Sequence, residues 1–471
     1  MNKKWSLLFA VATLVVFSIA GCQKPVPGPE PEPVPIPEPG PEPEPEPVEL
    51  EPFKTSYDVP GDRIFEVRPQ VILHLENPNA VAAPAEIKLS VRTDKGAVVT
   101  TVDMNKEIAA SITEDVTVTT DTDLEPGFYK AQCYVNSYPA GSFAFGISPF
   151  DIVSAPDKQP DFDQFWQDAK DQLASIDMDA TLREVESKST AQQKVYLVEM
   201  KSVPDGLEGE PVIIHGYYLE PQDNSGKKYP VLIHFFGYDD QKPGKLSCPS
   251  GSAAPKYAEF YLSTRGQMIN NRTADKRGDG FPEDYVNTYG DWFAFNFGNR
   301  DGYYYRGAFM DCVQAVRFMA TRPTSDMNNI FAEGSSQGGA FSYAAAALSD
   351  YPFRAIAPCV AFLGDFPDYF KIVSWPGDTA KKNKGSMTDE QMYAFLSYFD
   401  TKNLATRISC AVIACSGLVD GTCPPHTNIA PFNNLQTPES DKEYYFYPKM
   451  GHEIPAGWSN KWGSFFNAHM Q

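Results

Sequence analysis

A hydroxyl that could serve as a nucleophile stands in Gly334-Ser335-Ser336-Gln337-Gly338, a G-x-S-x-G pattern. With glycine near 7% of an average chain, such a pentapeptide arises by chance in a sequence of this length with probability on the order of 0.1–0.2. Its surroundings therefore decide its meaning. A short strand pattern at residues 329–333 precedes it, and an Ala-rich helical run at residues 339–348 follows. A serine on such a sharp strand-to-helix turn projects its hydroxyl above a sheet edge, and the flanking glycines are needed because the turn has no room for β-carbons. The hydroxyl is a poor nucleophile until a base takes its proton, so a carboxylate and a histidine should follow. Of the six histidines, His74 lies in an N-terminal region of different character, and His215 and His234 precede the serine within strand patterns. His426 follows two prolines and His469 is close to the C-terminus. His452, in Lys449-Met450-Gly451-His452-Glu453, falls in the loop after the last predicted strand and is the expected base. Asp420, just past an apolar strand at residues 408–416, is the expected orienting carboxylate; Asp365 and Asp368 also follow a strand-like run and compete for the role. His452-Glu453 is not half of a metalloprotease motif, because no second histidine lies four residues beyond the first.

The elements that must position these groups alternate from about residue 156 onward. Asp161 is expected to cap a helix in which Phe162, Phe165, Trp166, Ala169 and Leu173 fall at helical spacing. Strands are predicted at 230–236, 258–264, 329–333, 408–416 and 442–447, and helices at 306–320 and 339–348. Such alternation predicts an α/β fold, a mostly parallel sheet with helices on both faces. Residues 53–155 read differently. Ile87, Leu89 and Val91 alternate with Lys88, Ser90 and Arg92, Asp94-Lys95-Gly96 makes a turn, and Tyr129, Ala131, Cys133 and Val135 share one face. Short alternating strands with frequent turns predict a small all-β, Ig-like sandwich. It shows no aromatic platform or metal set of a carbohydrate-binding module, so a spacer or interface role is expected for it.

The segment from about 157 to 471 resembles the acetyl xylan esterase and cephalosporin C deacetylase family (carbohydrate esterase family seven), an α/β-hydrolase group. The blocks that carry the resemblance are Phe162-Asp163-Gln164-Phe165-Trp166, Gly237-Tyr238, Arg265-Gly266-Gln267, Tyr303-Tyr304-Tyr305-Arg306 with Asp311, Gly334 to Gly338, Asp420 with Cys423-Pro424-Pro425, and Gly451-His452-Glu453. The resemblance covers about two thirds of the chain and leaves out the β-domain. It implies that Ser336, Asp420 and His452 form a catalytic triad and that the backbone N–H groups of Tyr238 and Gln337 form an oxyanion hole. Arg265, Gly266 and Gln267 are expected to support the loops around the site. The family usually carries His-Gly-Tyr where this chain has Phe236-Gly237-Tyr238; the backbone donor survives, but a polar support of the loop is lost. The implied reaction is removal of acetyl groups from acetylated xylan or xylo-oligosaccharides, with a tight acyl pocket lined by Tyr238 and other aromatics. No metal or organic cofactor is expected. The alternatives are a longer-acyl esterase or peptidase on the same fold, and a non-catalytic glycan-binding protein. Family members often form ring-like hexamers, so a homo-oligomer is among the arrangements implied.

The N-terminus and the composition address placement. Lys3 and Lys4 precede 16 largely apolar residues, Trp5 to Ala20, and then Ile19-Ala20-Gly21-Cys22. The run is short for a membrane span and suits a secretory signal. The cysteine after small residues resembles the lipobox of bacterial lipoproteins, which implies cleavage after residue 21 and acylation of Cys22. Residues 25–52 hold 13 of the chain's 41 prolines and eight glutamates. Proline fixes φ and lacks the N–H, so this stretch cannot be a helix or an inner strand; as an extended tether of 28 residues it reaches at most roughly 85 Å. The expected organisation is a signal peptide (1–21), a lipidated cysteine and tether (22–52), the β-sandwich (53–155) and the esterase domain (156–471). The expected location is that of an exported lipoprotein on the outer membrane, at its periplasmic or cell-surface side. The formal net charge is −21, with 40 basic and 61 acidic residues and no basic block, which disfavours nucleic acid as a partner. The seven cysteines after Cys22 have no regular spacing and do not read as a disulfide framework or a zinc site.

Overall fold

Period-two alternation builds the first part of the described chain. The strands are β1 (Lys54–Asp58), β2 (Ile64–Phe65), β3 (Gln70–Glu76), β4 (Ala83–Thr93), β5 (Val98–Ile108), β6 (Thr113–Thr119), β7 (Gly127–Val135) and β8 (Tyr138–Ile147), and in β3, β4 and β6 the buried apolar residues fall at every second position, on one side of the strand. The strands form a three-stranded sheet, β1-β3-β6, and a five-stranded sheet, β2-β8-β7-β4-β5. Leu73, Leu75, Val116 and Val118 of the first meet Ile87, Leu89, Val91, Ala131, Cys133 and Phe145 of the second in one buried core, with Lys88 and Arg92 outside. The computed structural model describes residue 28 and residues 49–223, 225–238, 247–267 and 288–471. The expected signal peptide, Cys22 and nearly all of the tether lie outside the described residues.

The α/β part contains α1 (Phe162–Ser175), β9 (Thr181–Glu184), β10 (Gln193–Ser202), β11 (Val212–Pro221), β12 (Tyr229–Phe235), β13 (Ala258–Ser263), α2 (Tyr304–Ala320), β14 (Ser325–Ser335), α3 (Gln337–Leu348), β15 (Ala355–Cys359), α4 (Phe366–Ile372), α5 (Gly377–Asn383), α6 (Asp389–Leu396), α7 (Thr401–Ala405), β16 (Ala411–Gly417), α8 (Pro425–Asn433), β17 (Lys442–Tyr447) and α9 (Trp458–Ala468). One sheet holds its strands in the order β17-β16-β15-β14-β12-β13-β11-β10-β9. Pairing is parallel from β17 to β13 and antiparallel from β13 to β9, so the sheet is mixed with a parallel majority around the nucleophile strand. Strand β12 shows why both faces are covered. Val231 and Ile233 join the core under α1, α2 and α3, whereas Leu232 joins Phe331, Ile413, Phe465 and Phe466 under α9. Asp161 does occupy the position before α1, but its carboxylate makes no cap. It accepts instead from Arg300 at 2.6 Å and from the Tyr398 hydroxyl, because a guanidinium is a stronger partner than a helix N–H.

The described residues from Leu50 onward pack as one compact unit. Phe150, just after β8, sits within 6.0–6.1 Å of the rings of Phe432, Tyr444 and Phe446, and Phe128 of β7 lies 6.0 Å from Phe446. Beside these rings is an ionic cluster. The β4–β5 turn sends Asp94 and Lys95 to His426 (3.7 Å) and Asp368 (2.7 Å). His426 Nε2 is 3.2 Å from Asp365 and 3.3 Å from Asp368, and Lys402 and Lys371 pair with the same two carboxylates. The Ser154 hydroxyl donates to Asp365 at 2.7 Å. Burial would hold the His426 imidazole neutral, but the surrounding carboxylates raise its pKa to about 9.

Candidate active site

Strand β14 ends at Ser335, α3 begins at Gln337, and Ser336 between them has φ 58° and ψ −121°. A non-glycine residue at such a φ is strained and persists only where its neighbours fix it. Here the Ser336 N–H donates to the Cys359 carbonyl at 2.9 Å, and the Ser336 carbonyl accepts from Phe362 at 3.0 Å and Ala340 at 3.2 Å. The flanking glycines are required by close approach. A β-carbon on Gly334 would lie 2.4 Å from the Gly338 carbonyl oxygen, and one on Gly338 would lie 2.3 Å from that of Phe235.

His452 and Asp420 reach Ser336 from the loops after the last two strands of the sheet. Leu418 N–H donates to Tyr447 O and Val419 N–H to Met450 O, at 3.0 and 3.2 Å, which stitches the two loops together. His452 Nε2 lies 2.9 Å from Ser336 Oγ, and His452 Nδ1 lies 2.8 Å from Asp420 Oδ2. The other Asp420 oxygen accepts from the backbone N–H groups of Thr422 and Cys423, both at 2.8 Å. The Asp420 side chain is fully buried while the imidazole is partly open to solvent. Asp365 and Asp368, the competing carboxylates, are committed to His426 and lysines in the ionic cluster. Their oxygens and a His426 nitrogen lie within 4.8 Å of one another, a spacing a cation could use, but Lys95, Lys371 and Lys402 already supply the counter-charge. The remaining histidines are also engaged elsewhere: His74 with Asp58 and Asp115, His215 with Glu199, and His469 with the Phe465 carbonyl.

A cleft of about 540 Å³ opens over Ser336, lined by Phe236, Tyr238, Trp375, Thr422 and His452 among others. Tyr238 is fixed by its hydroxyl, which donates to Asp291 at 2.7 Å, and by rings of Trp292 and Trp375 at 4.9 and 5.6 Å. Gln337 opens α3, so its N–H belongs to the first turn, where donors lack intrahelical partners; its side-chain oxygen accepts from Tyr305 at 2.8 Å. Arg265 is buried beneath the site. Its guanidinium takes Asp311 in a two-point grip at 2.7 and 3.0 Å, and reaches Asp205 at 2.8 Å and the Val203 carbonyl at 3.0 Å. Burial opposes its charge, yet Asp311 keeps it firmly protonated. Gly266 follows at φ 74°. Gln267 then donates to the carbonyls of Phe236 and Gly237, at 3.3 and 3.1 Å. The loop that carries Tyr238 is therefore supported by a glutamine amide, while the Phe236 ring stacks 6.3 Å from Tyr261.

One group escaped the sequence reading. His234 lies between Glu333 (2.7 Å) and Glu259 (3.1 Å) and stacks on Tyr261 at 4.0 Å. Burial would lower its pKa, but the two carboxylates lift it to about 9. Its only signal in sequence was a histidine inside an apolar strand, which does not reveal partners on neighbouring strands.

With this geometry in place, comparisons with known proteins place the chain among its relatives. The acetyl xylan esterase (AXE1) family model matches residues 152–469. Acetyl esterase Axe7A of Xylanibacter ruminicola is 27% identical over 333 residues, spanning 67% of this chain and 69% of the relative. Among solved structures, an acetyl xylan esterase from Paenibacillus sp. R4 is 28% identical with a TM-score of 0.55, and 68% of this chain covers 98% of it. Acetyl xylan esterase 1 from Thermoanaerobacterium sp. JW/SL YS485 is 25% identical with a TM-score of 0.56 and the same coverage.

Proposed function

Because this chain belongs to the acetyl xylan esterase family, we propose that it removes acetyl groups from acetylated xylan and xylo-oligosaccharides through an acetyl-serine intermediate. It is a carboxylic ester hydrolase on an α/β-hydrolase fold. The observation that carries the mechanism is the unbroken chain from Ser336 Oγ to His452 Nε2 at 2.9 Å and from His452 Nδ1 to Asp420 at 2.8 Å, at the floor of an open cleft. Ser336 attacks the acetyl carbonyl as His452 takes its proton. Asp420 holds the ring by Nδ1–H and stabilises the imidazolium, and two backbone N–H groups of its own loop fix its position. Negative charge developing on the carbonyl oxygen is received by the N–H groups of Tyr238 and Gln337, a contribution of several kcal/mol to the barrier. His452 returns the proton to the departing sugar hydroxyl, and the same base then activates the water that releases acetate. Replacing Ser336 by Ala should reduce kcat on acetylated xylo-oligosaccharides and on 4-nitrophenyl acetate by at least about 10⁴-fold. Acetate release at an undiminished rate would overturn the assignment. Small-acyl selectivity is checked with nitrophenyl esters of two to eight carbons: the rate should fall steeply with length.

The reading extends to placement. Cys22 is acylated after removal of residues 1–21, and the Pro/Glu stretch holds the enzyme off the outer membrane. The support is the charged, apolar and Ile19-Ala20-Gly21-Cys22 order of the N-terminus. Detergent-phase partitioning of the full chain, lost in Cys22→Ser, checks it.

A further inference from the structure

A second hollow lies where the sandwich meets the hydrolase fold. This groove, about 1050 Å³, runs between the end of β1 and the β1–β2 corner, with Tyr57, Val59 and Arg63, and the end of β17 and the segment after it, with Tyr447, Lys449 and Ile454. Glu453 and Ile454 line both this groove and the cleft over Ser336. The two hollows are thus one continuous depression, and they meet beside His452. Ile454 is 61% exposed there, an apolar side chain left uncovered at the junction.

The groove is built rather than incidental. The Tyr57 ring is held by its hydroxyl, which donates to the Ser142 carbonyl, and it fills the space where a β-carbon on Gly141 would sit, 2.3 Å away. Arg63 is only 8% exposed, and its guanidinium lies 5.9 Å over the Phe143 ring without an acidic or hydrogen-bonding partner among the described residues. Lys449 is exposed and also unpaired among the described residues. With no acceptor bound, the Arg63 N–H groups are free to donate into the groove that the residue lines. Arg63 and Lys449 therefore bring two donors, and Asp58 and Glu453 two acceptors, to one groove, a mixed polar lining that suits a ligand rich in hydroxyls.

We propose that the groove is an accessory saccharide subsite, in which the polymer chain lies while one of its acetyl groups reaches Ser336; the proposal rests on the acetyl xylan reading of the cleft. Pyranose rings present flat C–H faces to Tyr57 and Tyr447, and their oxygens, hydroxyl or uronyl carboxylate, accept from Arg63 and Lys449. A small acetate ester uses the cleft alone, whereas a polymer engages both hollows. The sandwich then contributes a wall of the substrate site, beyond spacing the enzyme from its anchor.

The test pairs two substrates and one binding measurement. Acetylated xylan and 4-nitrophenyl acetate are compared for the wild type, Lys449→Ala, Arg63→Gln and the double variant, and the same proteins are run in native gels containing deacetylated xylan. The double variant should lose about ten-fold in kcat/KM on the polymer, mainly through KM, with an equal fall in the polymer-to-nitrophenyl ratio. Retardation by xylan in the gel should fall with it. An unchanged ratio, or undiminished retardation, would overturn the groove. Lys449→Ala alters an exposed side chain, so its result stands even if Arg63→Gln disturbs folding. If the wild type cleaves nitrophenyl acetate but frees no acetate from xylan, the acetyl xylan reading fails, and the gel still reports separately on the groove.

Discussion

Ser336 holds a left-handed backbone conformation that costs on the order of 1–3 kcal/mol, and hydrogen bonds to Cys359 and from Phe362 and Ala340 fix it there. The reacting groups around it depend on equally specific partners. Asp420 works through geometry, so Asp420→Asn should keep the fold and lower kcat by about 10⁴-fold by favouring the wrong imidazole tautomer; stopped assays with nitrophenyl acetate measure this. Gln267 acts at one remove, as a positioning residue. Gln267→Ala frees the Phe236 and Gly237 carbonyls and should lower kcat by about 10–100-fold with KM nearly unchanged, because a displaced Tyr238 N–H weakens transition-state binding alone. Gln267→Glu should not rescue it, since a carboxylate cannot donate to two carbonyls. At this scale the sequence was readable wherever chemistry forces order and spacing. His452 emerged by elimination among six histidines, and Asp420 by its place after a strand. Asp365 and Asp368 could not be separated from Asp420 in that way, because their commitment to His426 depends on a turn more than 250 residues earlier in the chain and on contacts no local pattern records. Gln267 was expected from the resemblance to support loops around the site, but its targets, the Phe236 and Gly237 carbonyls, lie 31 and 30 residues earlier and leave no mark in local sequence.

Each catalytic group is delivered by the carboxyl end of a strand, β12, β14, β16 or β17, and the parallel part of the sheet brings those ends to one edge. The strand–turn–helix at β14–α3 tolerates no added atom. Gly338→Ala should destabilise the protein by about 3 kcal/mol or more and abolish activity together with folding, because its new β-carbon meets main chain, which cannot yield as a side chain can. Soluble yield and circular dichroism decide it. Element type and order in this region followed from apolar runs and turn residues, including β12, β13, α2, α3 and β17 to within a few residues. The antiparallel strands β9 and β10 carry no clear signal of this kind, and β11 shows only the strand pattern around His215. Their alternation is blurred because Val195, Leu197, Val198 and Met200 are buried on both sides of β10, and a strand covered on both faces loses its period of two.

Across the whole molecule, two buried histidines, His234 and His426, carry charge in the folded state with pKa values of about 9, against 6.5 when unfolded. A raised folded pKa contributes stability that is complete below pH 6.5 and lost as pH rises through 9. Each contribution is on the order of 3 kcal/mol. The groups facing His426 are Asp94, Asp365 and Asp368, with Lys95, Lys371 and Lys402 behind them. Asp365 and Asp368 are held below the usual carboxylate range, so their share is present above about pH 4 and is lost in acid. Melting temperature should therefore fall by several degrees between pH 6.5 and 9.5, and His426→Gln should start lower and show a shallower decline. Phe128→Ala removes a ring shared by the sandwich and the hydrolase core and should cost about 3–5 kcal/mol, lowering a single calorimetric transition rather than splitting it. The same seam bears on inheritance. The family model begins at residue 152, and two solved relatives are matched over 98% of their length by 68% of this chain, so the sandwich is a block of sequence outside the family match. Such a block is not freely exchangeable: Asp94 and Lys95 need His426 and Asp368, and Phe150 needs Phe432, Tyr444 and Phe446. A recombinant that swapped the N-terminal block alone would join two mismatched halves, and viable chimaeras should keep α4, α8 and β17 from the same parent as the β4–β5 turn.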